Sequence, residues 1–150
     1  MGVDDTFWME QAYALAQKAN ALGEVPVGAV LVRDNKVIGS GYNQVIQNHD
    51  PCAHAEILAI REAALAAANY RLEKSTLYVT LEPCSMCAGA LVHARIERLV
   101  FACRDFKAGA AGSVVNLLKG YPFNHQVIID EGFLTAECSD LLKIFFTERR

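Results

Sequence analysis

Apolar residues recur along this chain of 150 residues with two distinct periods. Trp8, Ala12, Leu15, Ala16, Ala19 and Leu22 fall at helical spacing, behind Asp4, Asp5 and Thr6, whose side chains suit a helix N-terminus. Gly23 marks the end of that helix. Residues 27–33 and 36–42 read as two strands joined by a hairpin turn at Asp34-Asn35. Residues 55–70, rich in Ala and Leu, predict a second helix, 76–80 a third strand, 84–94 a third helix and 99–103 a short apolar strand. A loop over 104–113 follows, and Ser113 offers a cap for a short helix over 114–118. Residues 126–130 predict a fifth strand. The last helix, 135–149, presents Leu141, Leu142, Phe145 and Phe146 as its apolar side.

The order is therefore α-β-β-α-β-α-β-α-β-α. Strands 1 and 2 form an antiparallel hairpin, and the helices between strands 3, 4 and 5 suggest parallel crossovers. The expected fold is an α/β, three-layer α/β/α arrangement around a mixed five-stranded sheet, with the active site at strand ends where helix N-termini gather. No repeat, linker or low-complexity tract divides the chain, so residues 1–150 are expected to form a single domain.

Composition narrows the class. Hydrophobic residues make up 53%, rich for a soluble chain, and the surplus hints at a buried subunit interface. No apolar run is long enough to span a membrane, and residues 1–5 do not read as a signal peptide, so the expected location is the cytoplasm. Five cysteines do not read as a disulfide framework once two are assigned to a metal. Net charge is −3, an argument against a nucleic-acid partner. Residues 101–150 balance 6 basic against 6 acidic residues, so the deficit lies in the first hundred, and a basic patch around Arg104, Lys107, Arg149 and Arg150 is compatible with it.

Two short segments carry chemistry. His54-Ala55-Glu56 and Pro83-Cys84-Ser85-Met86-Cys87 together supply one imidazole and two thiolates, three ligands for one Zn2+ per subunit. Three protein ligands leave the fourth tetrahedral position to water, the arrangement of a catalytic rather than a structural zinc. Cys84 and Cys87 are three apart, on one helical turn, where the helix N-terminus favours thiolates. Residues 54 and 56 lie about 200° apart on a regular helix, so His54 and Glu56 can face one metal only if His54 sits at the helix entry with non-helical dihedrals. Pro51 upstream fits such an entry. The expectation is that His54 caps one helix, Cys84 opens another, and zinc lies between the two N-termini. Glu56 is then a spare carboxylate beside the metal, placed for proton transfer. His-x-Glu with Pro-Cys-x-x-Cys is the known signature of the zinc-dependent nucleobase deaminases, so this pattern is matched here. Cys-x-x-Cys alone is weak, being shared with redox motifs and zinc ribbons.

From about Trp8 to Arg149 the chain resembles the bacterial tRNA-specific adenosine deaminases, within the cytidine/deoxycytidylate deaminase superfamily. The likeness rests on residues 24–30 (Glu-Val-Pro-Val-Gly-Ala-Val), 54–57, 78–84 (Tyr-Val-Thr-Leu-Glu-Pro-Cys), 86–90, and Arg104-Asp105 with 109–113. The zinc segments are shared with cytidine and guanine deaminases and define the chemistry; the stretch 104–113 and the C-terminal helix point to tRNA. Cys52, Cys103 and Phe106 depart from the family pattern near the substrate groove.

The resemblance implies a cytidine-deaminase-like fold, a homodimer, and hydrolysis of adenosine to inosine at the wobble position (adenosine-34) of a tRNA anticodon loop, with a tRNA-Arg stem-loop the expected substrate. Hydroxide from a zinc-activated water attacks C6 while Glu56 shuttles protons to N1 and to the departing amine. It also implies that Asn43 hydrogen-bonds the flipped nucleoside, that the Ala55 N–H and the Leu81-Glu82 loop lie against the base, and that Pro26 and Val27 form an apolar wall. Asp105 is a candidate for a neighbouring ribose, and Arg104, Lys107 and Arg149 for phosphates; solvated surface charges are the competing reading. Phe145 and Phe146 are consecutive, so at most one can be fully buried; Phe146 is the candidate for RNA contact, with packing against the body of the protein the competing reading. Two other functions compete: deamination of a small free base or nucleoside such as guanine or cytosine, and a zinc-stabilised RNA-binding module without turnover. Glu56 argues against the latter.

Overall fold

The computed structural model describes residues 4–120, 122 and 124–149. Helix α1 (Asp5–Ala21) leads into the hairpin β1 (Gly28–Arg33) and β2 (Lys36–Tyr42). Helix α2 (Ala55–Ala67), strand β3 (Thr76–Leu81), helix α3 (Ser85–His93) and strand β4 (Arg98–Cys103) follow, then β5 (Ile128–Glu131) and α4 (Thr135–Glu148). The sheet order is β2-β1-β3-β4-β5, with β1 antiparallel to both β2 and β3, and β3, β4 and β5 mutually parallel. Asp34 and Asn35 both take positive φ, 52° and 63°, the twist a two-residue hairpin loop needs.

Strand alternation divides the core between two faces. Ala29, Leu31, Leu77, Val79, Leu99 and Phe101 pack with Ala55, Ala59 and Ala63 of α2 and Ala88 and Leu91 of α3. Val30, Val32, Tyr78, Val100 and Ala102 face Met9 and Ala12 of α1 and Cys138 of α4. This is the three-layer α/β/α fold with a mixed five-stranded sheet that the patterning predicts. Small residues allow the close approach: a Cβ on Gly28 would lie 2.1 Å from the Ala12 carbonyl oxygen of α1, and one on Gly41 2.5 Å from the Ala55 carbonyl oxygen of α2.

The departures have local causes. On α1 the fully buried stripe is Met9, Ala12, Ala16 and Ala19, while Leu22 is exposed beyond the helix end; the Asp4 N-cap makes no side-chain capping bond. Helix α2 stops three residues before the expected 70, because Ala68 turns left-handed at φ 52°. On α4 the buried positions are Cys138 and Phe145, not Phe146. The short helix expected over 114–118 is absent. The Ser113 hydroxyl bonds Glu82 instead of capping, and the N–H groups of Val114, Val115 and Leu117 go to carbonyls of Gly109 and Ala110. Among the described residues the parallel β4–β5 crossover therefore holds no helix, and the Glu82 carboxylate fixes it at Ala111 and Ser113.

Candidate active site

Helices α2 and α3 start at the same end of the sheet, and their N-caps are the first two metal-ligand candidates. His54 caps α2 with extended dihedrals (φ −76°, ψ 153°), and Cys84 caps α3 (φ −77°, ψ 178°). The non-helical entry expected of His54 is what turns its ring toward the side reached by Glu56. Pro83, buried, lies one residue before the Cys84 cap rather than within the first turn. Cys87 follows inside that turn.

His54 Nδ1 lies 3.7 Å from Cys84 Sγ and 3.5 Å from Cys87 Sγ, and the three ligand atoms all fall within 4.8 Å of one another. Zinc bonded at about 2.3 Å to sulfur and about 2.05 Å to nitrogen, with tetrahedral angles, requires a sulfur–nitrogen separation of about 3.6 Å. The donor set therefore fits a tetrahedral zinc with Nδ1 as the nitrogen ligand. The hydrogen bond from Cys87, aided by His54, holds the Cys84 thiol down at about 3, while the bond to Cys84 and burial push Cys87 up. Hydrogen bonding to Cys84 raises the His54 imidazole above 6.5. Cysteine binds a metal as the thiolate, so a lowered Cys84 thiol favours a divalent cation at this donor set.

Glu56, on the first turn of α2, is 4% exposed, and burial lifts its carboxyl from 4.5 to about 7. A carboxyl poised near neutrality can both take and return a proton. It faces a cavity of about 320 Å³ that also bears His54, Cys84, Asn43, Val27, Leu81 and Glu82, large enough for a nucleobase. Asn43 Oδ1 accepts the Ala55 N–H at 2.8 Å. The expected Ala55 contact to a base is thus occupied by Asn43, whose own NH2 has no partner among the described residues. Pro26 is buried beside Val27 and does not line the cavity.

Glu82 lines the cavity but is 2% exposed, and its carboxylate serves the loop after β4. It accepts the N–H groups of Asp105 (3.0 Å), Ala111 (2.9 Å) and Ser113 (3.0 Å) and the Ser113 hydroxyl. Burial works against its charge, yet these bonds hold its carboxyl below 4.5. A second buried acid escaped the sequence reading. Glu24, 1% exposed, accepts the N–H groups of Ile46 (3.1 Å) and Gln47 (2.8 Å) and so pins the opposite cavity wall. Its position directly before the Val25-Pro26-Val27 run was the available signal.

The five residues expected to meet RNA, Arg104, Asp105, Lys107, Phe146 and Arg149, line one groove of about 920 Å³ that shares Val25, Leu81 and Asp105 with the smaller cavity. The larger space holds none of the metal-ligand candidates; the chemistry lies in the smaller one. Lys143, from α4, lines the groove as well and was missed, although it shares a helical face with Phe146. Arg104 forks onto Glu131 at 2.7 and 3.0 Å, and Arg149 lies 3.7 Å from the centroid of the Phe145 ring. Lys107 and Lys143 have no carboxylate partner among the described residues.

A His-Cys-Cys metal cluster with an adjacent buried glutamate, between two helix N-termini of an α/β/α sandwich, defines a zinc deaminase of nucleobases. The family described as cytidine and deoxycytidylate deaminase zinc-binding region matches residues 3–103. Within that class the chain belongs to the tRNA-specific adenosine deaminase family. It is 54% identical over 147 residues to the tRNA-specific adenosine deaminase of Haemophilus influenzae, covering 97% of this chain and 85% of that one. Identity to the Bacillus subtilis enzyme of the same name is 47% over 146 residues, covering 97% and 91%. A solved structure from a study of A-to-I editing by tRNA:A34 deaminases at the wobble position of transfer RNA superposes with a TM-score of 0.88. It is 42% identical and covers 91% of this chain and 99% of its own.

Proposed function

We propose that this protein hydrolyses adenosine to inosine at the wobble position of a tRNA anticodon loop. The observation that carries the reading is the fit of His54, Cys84 and Cys87 to a tetrahedral zinc, with Glu56 buried beside them in a base-sized cavity. The tRNA substrate is supported by the relatives above and by the lysine-bearing groove that opens beside the cavity.

His54, Cys84 and Cys87 would hold the ion, and Glu56 stands outside the ligand set. When bound, zinc supplies the Lewis acidity that lowers a water's pKa to about 7. Glu56 would accept the proton of the attacking water as its oxygen bonds to C6, deliver that proton to N1 of the adenine ring, and then protonate the exocyclic amine, which leaves as ammonia when the C6–N bond breaks. Asn43 offers its amide to the nucleoside, and Val27 and Leu81 exclude water from the ring faces. The target base must leave its stack to enter, which a single-stranded loop permits at lower cost than a duplex. Asp105 meets a flanking ribose, and Arg104, Lys107, Phe146 and Arg149 follow the strand along the groove.

The finer reading is a homodimer acting in the cytoplasm on a tRNA-Arg anticodon stem-loop. Among the described residues no helix is long and apolar enough to cross a membrane. The test is incubation of the zinc-loaded protein with that stem-loop, carrying adenosine at the wobble position, and mass detection of inosine after digestion. Free adenine, guanine and cytosine and their nucleosides run in parallel with a chelated control. Inosine from the stem-loop alone is expected. Turnover confined to the free bases would reject the tRNA reading, and turnover of nothing would leave a zinc-stabilised binding module.

A further inference from the structure

Beyond the cavity, one side chain stands out for being apolar, rigidly presented and uncovered. Phe106 is 77% exposed, yet the turn carrying it is tightly held. Asp105 N–H donates to Glu82 at 3.0 Å, Asp105 Oδ1 accepts the N–H groups of Lys107 (3.0 Å) and Ala108 (3.1 Å), and Gly109 N–H returns to the Asp105 carbonyl at 2.9 Å. No ring partner meets Phe106 among the described residues, whereas Phe146 across the groove packs edge-on to Phe145 at 5.3 Å. Phe106 lines the groove next to Asp105, the residue at which groove and cavity join, and the same groove carries Lys107 and Lys143 without carboxylate partners.

We propose that Phe106 is a stacking platform for the base adjacent to the target nucleotide, the strand's phosphates passing between Lys107 and Lys143. This rests on the RNA reading above and adds to it a residue that selects the splayed, single-stranded form of the substrate. The occupant follows from charge and shape together. An aromatic face beside two unpaired ammonium groups suits a base attached to phosphodiesters, and a base stacks on such a face with little regard to sequence. A turn fixed by Glu82 loses little entropy when the ring is covered. Phe106 follows directly on Asp105, which lines both the groove and the cavity, so a base stacked on the ring would neighbour the one inside.

The test uses the zinc-loaded full chain with Glu56→Gln to prevent turnover, and a labelled anticodon stem-loop with adenosine at the wobble position. Phe106→Ala is expected to weaken binding about 5-fold to 100-fold, the range of one aromatic–base stack. Phe106→Trp should keep the affinity and Phe106→Leu should not restore it, because stacking needs a π-face. The salt dependence of binding should be unchanged in Phe106→Ala and shallower in Lys107→Ala, since only the latter removes a phosphate contact. An abasic site beside the target should abolish the difference in affinity between the parent protein and the Phe106→Ala variant. The inference is overturned if Phe106→Ala binds within two-fold of its parent, if Phe106→Leu restores affinity, or if the substitution instead changes the oligomeric state. A parent protein that does not bind the stem-loop would reject the RNA reading itself.

Discussion

Glu56 is the residue on which the proposed proton transfer rests. Its role depends on burial, which lifts the carboxyl to about 7, and on its place just outside the ligand set. Glu56→Gln keeps the volume and removes the titratable oxygen. We expect a loss of at least about 10²–10⁴ in inosine formation, the usual share of general acid–base catalysis, with bound zinc and thermal stability preserved. Metal analysis and calorimetry on the same sample separate this from unfolding, and turnover near that of the wild type would remove Glu56 from the mechanism. The ligands themselves were legible because their spacing is a local property: an i, i+3 cysteine pair and a His-x-Glu that works only at a helix entry. Glu24 and Glu82 were less legible. Nothing in a sequence distinguishes an acid that touches substrate from one whose oxygens are filled by backbone N–H groups of another loop.

At the scale of elements, the site exists because α2 lies directly on β2. Gly41 allows that approach. A methyl there would lie 2.5 Å from the Ala55 carbonyl oxygen and 2.8 Å from Leu58 Cβ, in the helix turn that presents His54 and Glu56. Gly41→Ala is therefore expected to displace the start of α2, destabilise the fold by about 1–3 kcal/mol and weaken zinc retention. Thermal melting and competition with a chromophoric chelator would check it, and unchanged zinc affinity would show that the helix start is not coupled to β2. A second joint ties α1 to the sheet. Asp5 accepts Arg98 Nη1 and Nη2 at 2.9 and 2.8 Å and the Tyr78 hydroxyl at 2.6 Å. The Arg98 hydrogen bonds, against the opposing effect of burial, hold the Asp5 carboxyl below 3.8. A depressed folded-state pKa means that this stabilisation is present above pH 4 and is lost as pH falls through the folded value. Asp5→Asn should thus be less stable than wild type near neutrality, with the difference shrinking on acidification below pH 4, as urea titrations at several pH values would show. A gap constant across that range would assign the effect to packing. The helix ends and the missing 114–118 helix mark where periodicity fails at this scale, because Ser113's capping capacity was claimed by a carboxylate 31 residues away.

For the whole molecule, the net charge of −3 counts less than where the charges lie. Four basic side chains, Arg104, Lys107, Lys143 and Arg149, converge on one groove beside the cavity, although Arg104 is already paired with Glu131. The metal is the other global term. The residues that would hold it come from segments 30 residues apart, so bound zinc would join α2 to α3 and contribute to folding as well as to chemistry. With free zinc a thousand-fold above its Kd, chelation is expected to lower stability by about 4 kcal/mol, roughly 10 °C in Tm, together with complete loss of deamination that added zinc restores. A chelated protein that melts at the same temperature would show that the cluster is preformed without the ion.

The amino-acid sequence by itself determined that His54, Cys84 and Cys87 come together with Glu56 beside them, along with the five strands and the four long helices, because each depends on neighbours within a turn or on strand alternation. Only the tertiary structure decided that β1 pairs with β3, that residues 114–118 form a loop and not a helix, and that Lys107 and Lys143 share one groove. It alone showed Glu82 clamping a distant loop. These outcomes depend on backbone donors, acceptors and volumes brought together from remote parts of the chain, and periodicity carries no record of which remote partner a side chain will meet.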